Sequence, residues 1–155
     1  MVISSGRVEL KVKLIACTPN LDLIAGAVTR GCQSRKSAAN LLESGEEEKL
    51  RKALKTSVER GHYSVLEHNR VLWLVEDVHE HEILRQSAAH KFLEVAKISD
   101  SDWILSANLR TLIELVGSEK NELVDKLAES MRGVSNIFAE LVRTDEGKTS
   151  KLSTG

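Results

Sequence analysis

The chain has 155 residues, with 22 Lys and Arg against 23 Asp and Glu and a formal charge of −1. That balance excludes the dense positive field used to wrap nucleic acid or bind an anionic membrane. No run approaches the roughly 18 apolar residues of a membrane span, and a hydrophobic content of 41% with 3% aromatics predicts a soluble domain with an aliphatic core.

The charged alternation Arg7-Val8-Glu9-Leu10-Lys11 leaves no room for a secretory leader after Met1. Cys17 and Cys32 form no Cys-x-x-Cys pair and read as small buried residues of a reducing, cytoplasmic protein. One domain is expected over 1–146, with a small, polar, disordered tail over 147–155.

In chain order, Val8, Leu10, Val12, Leu14 and Ala16 alternate with Glu9, Lys11, Lys13, Ile15 and Cys17, which predicts a strand with one wet face. Thr18-Pro19-Asn20 ends it. Asn20 or Asp22 is placed to cap a helix that turns Leu23, Ile24, Ala27 and Val28 inward and ends near Arg30-Gly31. Residues 33–45 read as a loop or a short helix around Ala38–Leu42. Ser44, followed by Glu46-Glu47-Glu48, predicts a capped helix with Leu50, Leu54, Ser57 and Val58 inward. Gly61 ends it in the left-handed position.

Arg70 to Val78 reads as a strand buried on both faces, with Trp73 in the core. The stripe Ile83, Leu84, Ser87, Ala88, Phe92, Val95 and Ala96 predicts a helix over 80–97. Trp103-Ile104-Leu105 is a brief extended segment. A helix starts at Asn108 and runs to Val116, Gly117-Ser118 breaks it, and Ser118 caps a last long helix carrying Leu123, Leu127, Met131, Val134, Phe138 and Leu141. No glycine-rich turn follows a strand, so the fold class is α+β with a small antiparallel sheet and several helices, not a doubly wound nucleotide fold.

The titratable groups concentrate in Arg60-Gly61-His62-Tyr63-Ser64-Val65-Leu66-Glu67-His68, between a helix end and a buried strand. A rigid frame holds such side chains at the edge of a core, where binding chemistry sits. His79-x-His81 is a poor metal pair, because residues two apart on a helix point about 200° apart; no metal is expected. Ser64 lies near His62 but lacks a Gly-x-Ser-x-Gly elbow. On residue chemistry alone, His62 and Glu67 are equally fold-stabilising hydrogen bonders or ligand contacts.

Gly61-His62-Tyr63-Ser64-Val65-Leu66-Glu67-His68 resembles the Gly-His-x-Ser-x-x-Glu-His segment of the flavin-dependent thymidylate synthases. Ala27-Val28-Thr29-Arg30 resembles that family's Ala-x-x-Arg helix, Arg85-Gln86 its Arg-Gln pair, and Asn108-Leu109-Arg110-Thr111-Leu112 its Asn-x-Arg-x-Leu helix start. The resemblance spans about residues 8 to 142. It implies an α+β homotetramer that binds FAD and methylates dUMP to dTMP, with reduced nicotinamide and methylene-tetrahydrofolate. It implies cofactor contacts at His62, Ser64, Glu67, His90, Lys91 and Asn108, and substrate contacts at Arg30, Arg85 and Arg110. It assigns no catalytic residue.

The chain departs from the family's Arg-His-Arg-x-x-Ser signature. Its Ala89-His90-Lys91-Phe92-Leu93-Glu94 keeps the histidine but places alanine and glutamate where the family has arginine and serine. Gly117-Ser118-Glu119 stands where the family carries another nucleotide-binding arginine. Losing arginine forks and gaining a carboxylate weakens a phosphate site. Two readings follow: a compact, divergent synthase, or a catalytically silent relative that keeps the scaffold for oligomerisation or weak flavin or nucleotide binding.

Overall fold

A computed structural model describes residues 8–151. Four strands form one sheet: β1 (Lys11–Cys17), β2 (Val71–Glu76), β3 (Glu94–Lys97) and β4 (Trp103–Ala107). The order is β1-β2-β4-β3 and every pairing is antiparallel. The helices are α1 (Leu21–Gly31), α2 (Ala38–Glu43), α3 (Glu47–Glu59), α4 (Glu80–Ala89), α5 (Leu109–Ser118), α6 (Glu122–Ser130) and α7 (Asn136–Lys151), with a short 3-10 helix at Tyr63–Glu67. The fold is α+β with a small antiparallel sheet.

One sheet face builds the main core. Val71, Trp73 and Val75 of β2 are fully buried beside Trp103, Leu105 and Ala107 of β4. Ile83 of α4, Leu112 and Leu115 of α5, Leu127 of α6 and Phe138 of α7 close over them. The Trp73 indole N–H donates to the Ser130 hydroxyl at 2.7 Å, so the largest core side chain leaves no orphan donor. A satellite core of Leu23, Ala27, Leu41 and Leu50 locks α1, α2 and α3 together.

Several expectations need correction. β2 alternates between buried and half-buried residues, so only its core face is covered. The helix expected over 80–97 stops at Ala89. Leu93 turns inward, its N–H bonding the His90 carbonyl, and Glu94–Lys97 then pairs with β4. The apolar stripe had merged a helix with a strand, because over so short a stretch both periods place an aliphatic residue inward. α4 is also rotated from that stripe: Gln86 is fully buried, whereas Leu84 is half exposed.

The last long helix is two. Gly133 at φ 74° breaks it, and α7 restarts after Ser135. Ser44 and Ser118 do not cap the following helices; each bonds back to a carbonyl of its own preceding turn. Asn121 caps α6 through its amide oxygen. Asn20 sits before α1 at φ 50° without a side-chain cap. Cys17 and Cys32 are exposed, not buried. α7 continues through Lys151, into the stretch expected to be a tail; residues 152–155 lie outside the described residues.

Candidate functional site

The approach of α1 to α3 sets up one concavity. Gly26 faces α3 so closely that a β-carbon there would lie 2.3 Å from the Leu50 carbonyl oxygen. With the backbones this near, the C-terminal turn of α1 reaches the outer face of α3. On α3, Lys49, Lys52, Ala53, Thr56 and Arg60 recur at three- and four-residue spacing and so share that face. Gly61, at φ 83°, then turns the chain back. Its N–H bonds the Val58 carbonyl and the His62 N–H bonds the Ser57 carbonyl, the paired bonds of a left-handed helix stop. That stop fixes His62 at the end of α3.

The result is a groove of about 370 Å³ lined by Thr29, Arg30, Gln33, Lys49, Lys52, Ala53, Thr56, Ser57, Arg60 and His62. A volume of this order holds a small organic ligand. No carboxylate is among the lining residues. Lys49 is paired with Glu46 outside the groove and holds that carboxyl below its usual range, with smaller help from Lys36 and Arg30. Among the described residues, Arg30, Lys52 and Arg60 have no carboxylate within ion-pair distance. Unshared guanidinium and ammonium groups on one wall are the donor set of an anion site.

Arg30 and His62 were expected at a site, and the fold brings them to one groove. Lys52 and Thr56 were not expected, and Arg60 opened the polar stretch without being given a role. Their signal is the spacing of polar residues along the outer face of α3, which is also the signature of an ordinary solvated face.

The other expected residues lie elsewhere. Arg110 donates to Glu67 across 43 residues of sequence and to Glu114 on its own helix at 3.0 Å. Both carboxylates, Glu114 first, hold its guanidinium more firmly protonated. Arg85 is clamped by Glu119, at 3.1 and 3.2 Å, and by Glu82 at 3.0 Å, which raises its pKa in the same way. Asn108 caps α5, its amide oxygen accepting from the Thr111 N–H at 2.8 Å. Ser64 lies exposed on the 3-10 helix. His90 and Lys91 occupy the turn between α4 and β3, where the Lys91 ammonium sits 5.3 Å from the Phe92 ring centre. Glu94 is engaged by Arg70 at 2.6 Å.

Among the described residues no three His, Cys, Asp or Glu side chains gather as a metal site. None of the described helices is long and apolar enough to cross a membrane.

No protein-family model matches the sequence, and no curated protein matches it. Among solved structures, the chain is similar to the crystal structure of thymidylate synthase X from Helicobacter pylori with FAD and dUMP. The TM-score is 0.47 at 13% identity, over 86% of this chain and 97% of that one.

Proposed function

We propose that the chain binds a phosphate-bearing flavin or nucleotide in the groove between α1 and α3, with FAD as the favoured ligand. The carrying observation is the convergence of Arg30 and His62 with Lys52 and Arg60 on a wall that no carboxylate lines. A pyrophosphate would take the guanidinium forks, and the Thr56 and Ser57 hydroxyls add neutral donors. Tyr63, next in sequence to His62, is exposed enough to meet a ring. FAD, the choice of ligand within this class, comes from the resemblance of Gly61–His68 to the flavin-dependent synthases.

Of the two readings, the silent relative fits this geometry better than an active synthase. Arg85 and Arg110, two of the three expected substrate contacts, are each held by two carboxylates. An incoming phosphate would have to displace charge-matched bonds that are already formed. Of the three arginines expected to contact substrate, Arg30 alone is then left unshared for methylation of dUMP with reduced nicotinamide and folate.

Titration of the purified chain with FAD tests the binding. The expected result is a saturable change in flavin fluorescence that weakens as salt rises. An unchanged flavin spectrum at every protein concentration would sink the proposal. A second assay separates the two readings: a bound flavin together with failure to rescue a thymidine-requiring strain supports the silent relative, and rescue restores the active synthase.

A further inference from the structure

The exposed ridge of α3 separates two grooves. At about 100° of rotation per residue, Lys49, Ala53, Thr56 and Arg60 lie on one flank of Lys52, whereas Glu48, Arg51 and Lys55 lie on the other. The first flank forms the groove beside α1. The second forms a groove of about 350 Å³ against α7, floored by the core residues Leu54 and Ile137. Lys52 lines both. One helix width, roughly 10 Å, separates them, a span that an extended dinucleotide covers.

The two grooves differ in chemistry. The first presents cations and hydroxyls and no carboxylate. The second sets donors beside acceptors over its apolar floor: Arg51, Lys55 and the Asn136 side-chain amide against Glu48 and Glu140. Asp22, at its back, is taken up by Ser135 and the first N–H groups of α7. Arg51 stands 3.9 Å from Asp22 and Lys55 stands 3.7 Å from Glu140, both longer than hydrogen bonds, and the two cations are 46% and 57% exposed. They can turn to a ligand without breaking a formed bond, unlike Arg85 and Arg110. A further phosphate is repelled by the carboxylates here. A nucleoside fits them: its ribose hydroxyls donate to a carboxylate, its ring nitrogens accept from the cations or the amide, and its base covers Leu54 and Ile137.

We propose that the groove between α3 and α7 binds the adenosine half of a dinucleotide whose pyrophosphate lies in the groove between α1 and α3, the ligand crossing the ridge beside Lys52. This assignment rests on the phosphate reading of the first groove and adds a specificity to it. A mononucleotide such as FMN fills the first groove alone, and a dinucleotide fills both. Glu48 and Lys55 then act as adenosine contacts and Lys52 as the cation shared by the two halves.

Parallel titrations of the full chain with FAD, FMN and ADP test it. FAD is expected to bind at least about tenfold more tightly than FMN, the scale of one added charge-assisted contact, and ADP is expected to compete with FAD. Glu48→Gln and Lys55→Met, each checked for native circular dichroism, are expected to weaken FAD binding at least about threefold while the FMN affinity stays near the parent's. Arg30→Ala weakens both ligands. Nuclear magnetic resonance locates the second half directly on the unmodified chain: FAD and ADP shift the backbone amide signals of Lys55, Asn136 and Ile137, and FMN does not. If none of the three ligands binds, the phosphate reading of the first groove fails and this assignment fails with it. If FAD binds no more tightly than FMN, or shifts only signals of the first groove, the first groove stands and the second is overturned. FAD binding that survives both Glu48→Gln and Lys55→Met unchanged overturns it as well.

Discussion

The Asp22 carboxylate, on the first turn of α1, accepts the Ser135 hydroxyl at 2.6 Å across 113 residues of sequence. Its other oxygen accepts the Asn136 and Ile137 N–H groups at 2.9 and 3.1 Å. Asp22 thus caps α7, a helix far from its own. Ser135 completes the cap by accepting the Phe138 N–H at 3.1 Å. One buried side chain joins the two ends of the chain and satisfies donors that a helix start otherwise leaves open.

Asp22→Ala is therefore expected to destabilise the protein by about 2 kcal/mol or more, above the usual cost of a surface cap, because several buried donors lose their acceptor together. Asp22→Asn should recover part of that loss. Urea denaturation checks both variants. An unchanged midpoint for Asp22→Ala would mean that α7 is not held this way.

Gly26→Ala reverses the usual sign of a helical glycine substitution. Alanine normally gains about 0.5–1 kcal/mol in a helix interior. Here the new β-carbon would sit 2.3 Å from the Leu50 carbonyl oxygen, which is backbone and cannot swing aside. The expected outcome is a lower melting temperature together with weaker ligand binding, since α1 and α3 must separate and the groove between them must widen. A raised melting temperature would refute the close approach.

The legible parts of the fold were those whose pattern is local. β1 follows from alternation, β2 from its apolar run and the stop at Gly61 from turn chemistry, each within a few residues, whereas Ala38–Glu43 was left open between a loop and a short helix. The failures came where tertiary pairing decides. Nothing local distinguishes Val95 and Ala96 as strand residues until β4 lies beside them. Asp22 resembles a cap for its own helix, and only the fold reveals the helix that it serves. The groove was half legible for the same reason. Arg60 and His62 stand out in a dense polar run, but Lys52 joins them in one groove only because Gly26 lets α1 approach α3.

Groove binding should depend on Arg60 and Lys52 and not on Arg85. Arg60→Ala and Lys52→Ala are each expected to weaken FAD binding about tenfold, the scale of one charge-assisted contact. Arg85→Ala should leave affinity unchanged, because its guanidinium is spent on Glu82 and Glu119. Flavin fluorescence titrations of the three variants decide the matter. Equal losses in all three would place the ligand elsewhere.

The carboxylates around Arg85 set the expected acid sensitivity. Burial alone would raise the Glu82 pKa. Hydrogen bonds from Gln86 and Arg85 outweigh it and pull that carboxyl below its ordinary value of 4.5. Arg85 draws Glu119 down likewise. A carboxyl that titrates lower when folded binds fewer protons in the native state than in the unfolded one. Its stabilisation is therefore full above about pH 5 and is lost as pH falls through 4.5 toward the lower folded values. Glu119→Gln and Glu82→Gln should each lower stability at neutral pH and flatten its decline below pH 5. Denaturation midpoints across the acid range test this. A variant whose acid limb stays as steep as the parent's would show that other carboxylates carry the pH dependence.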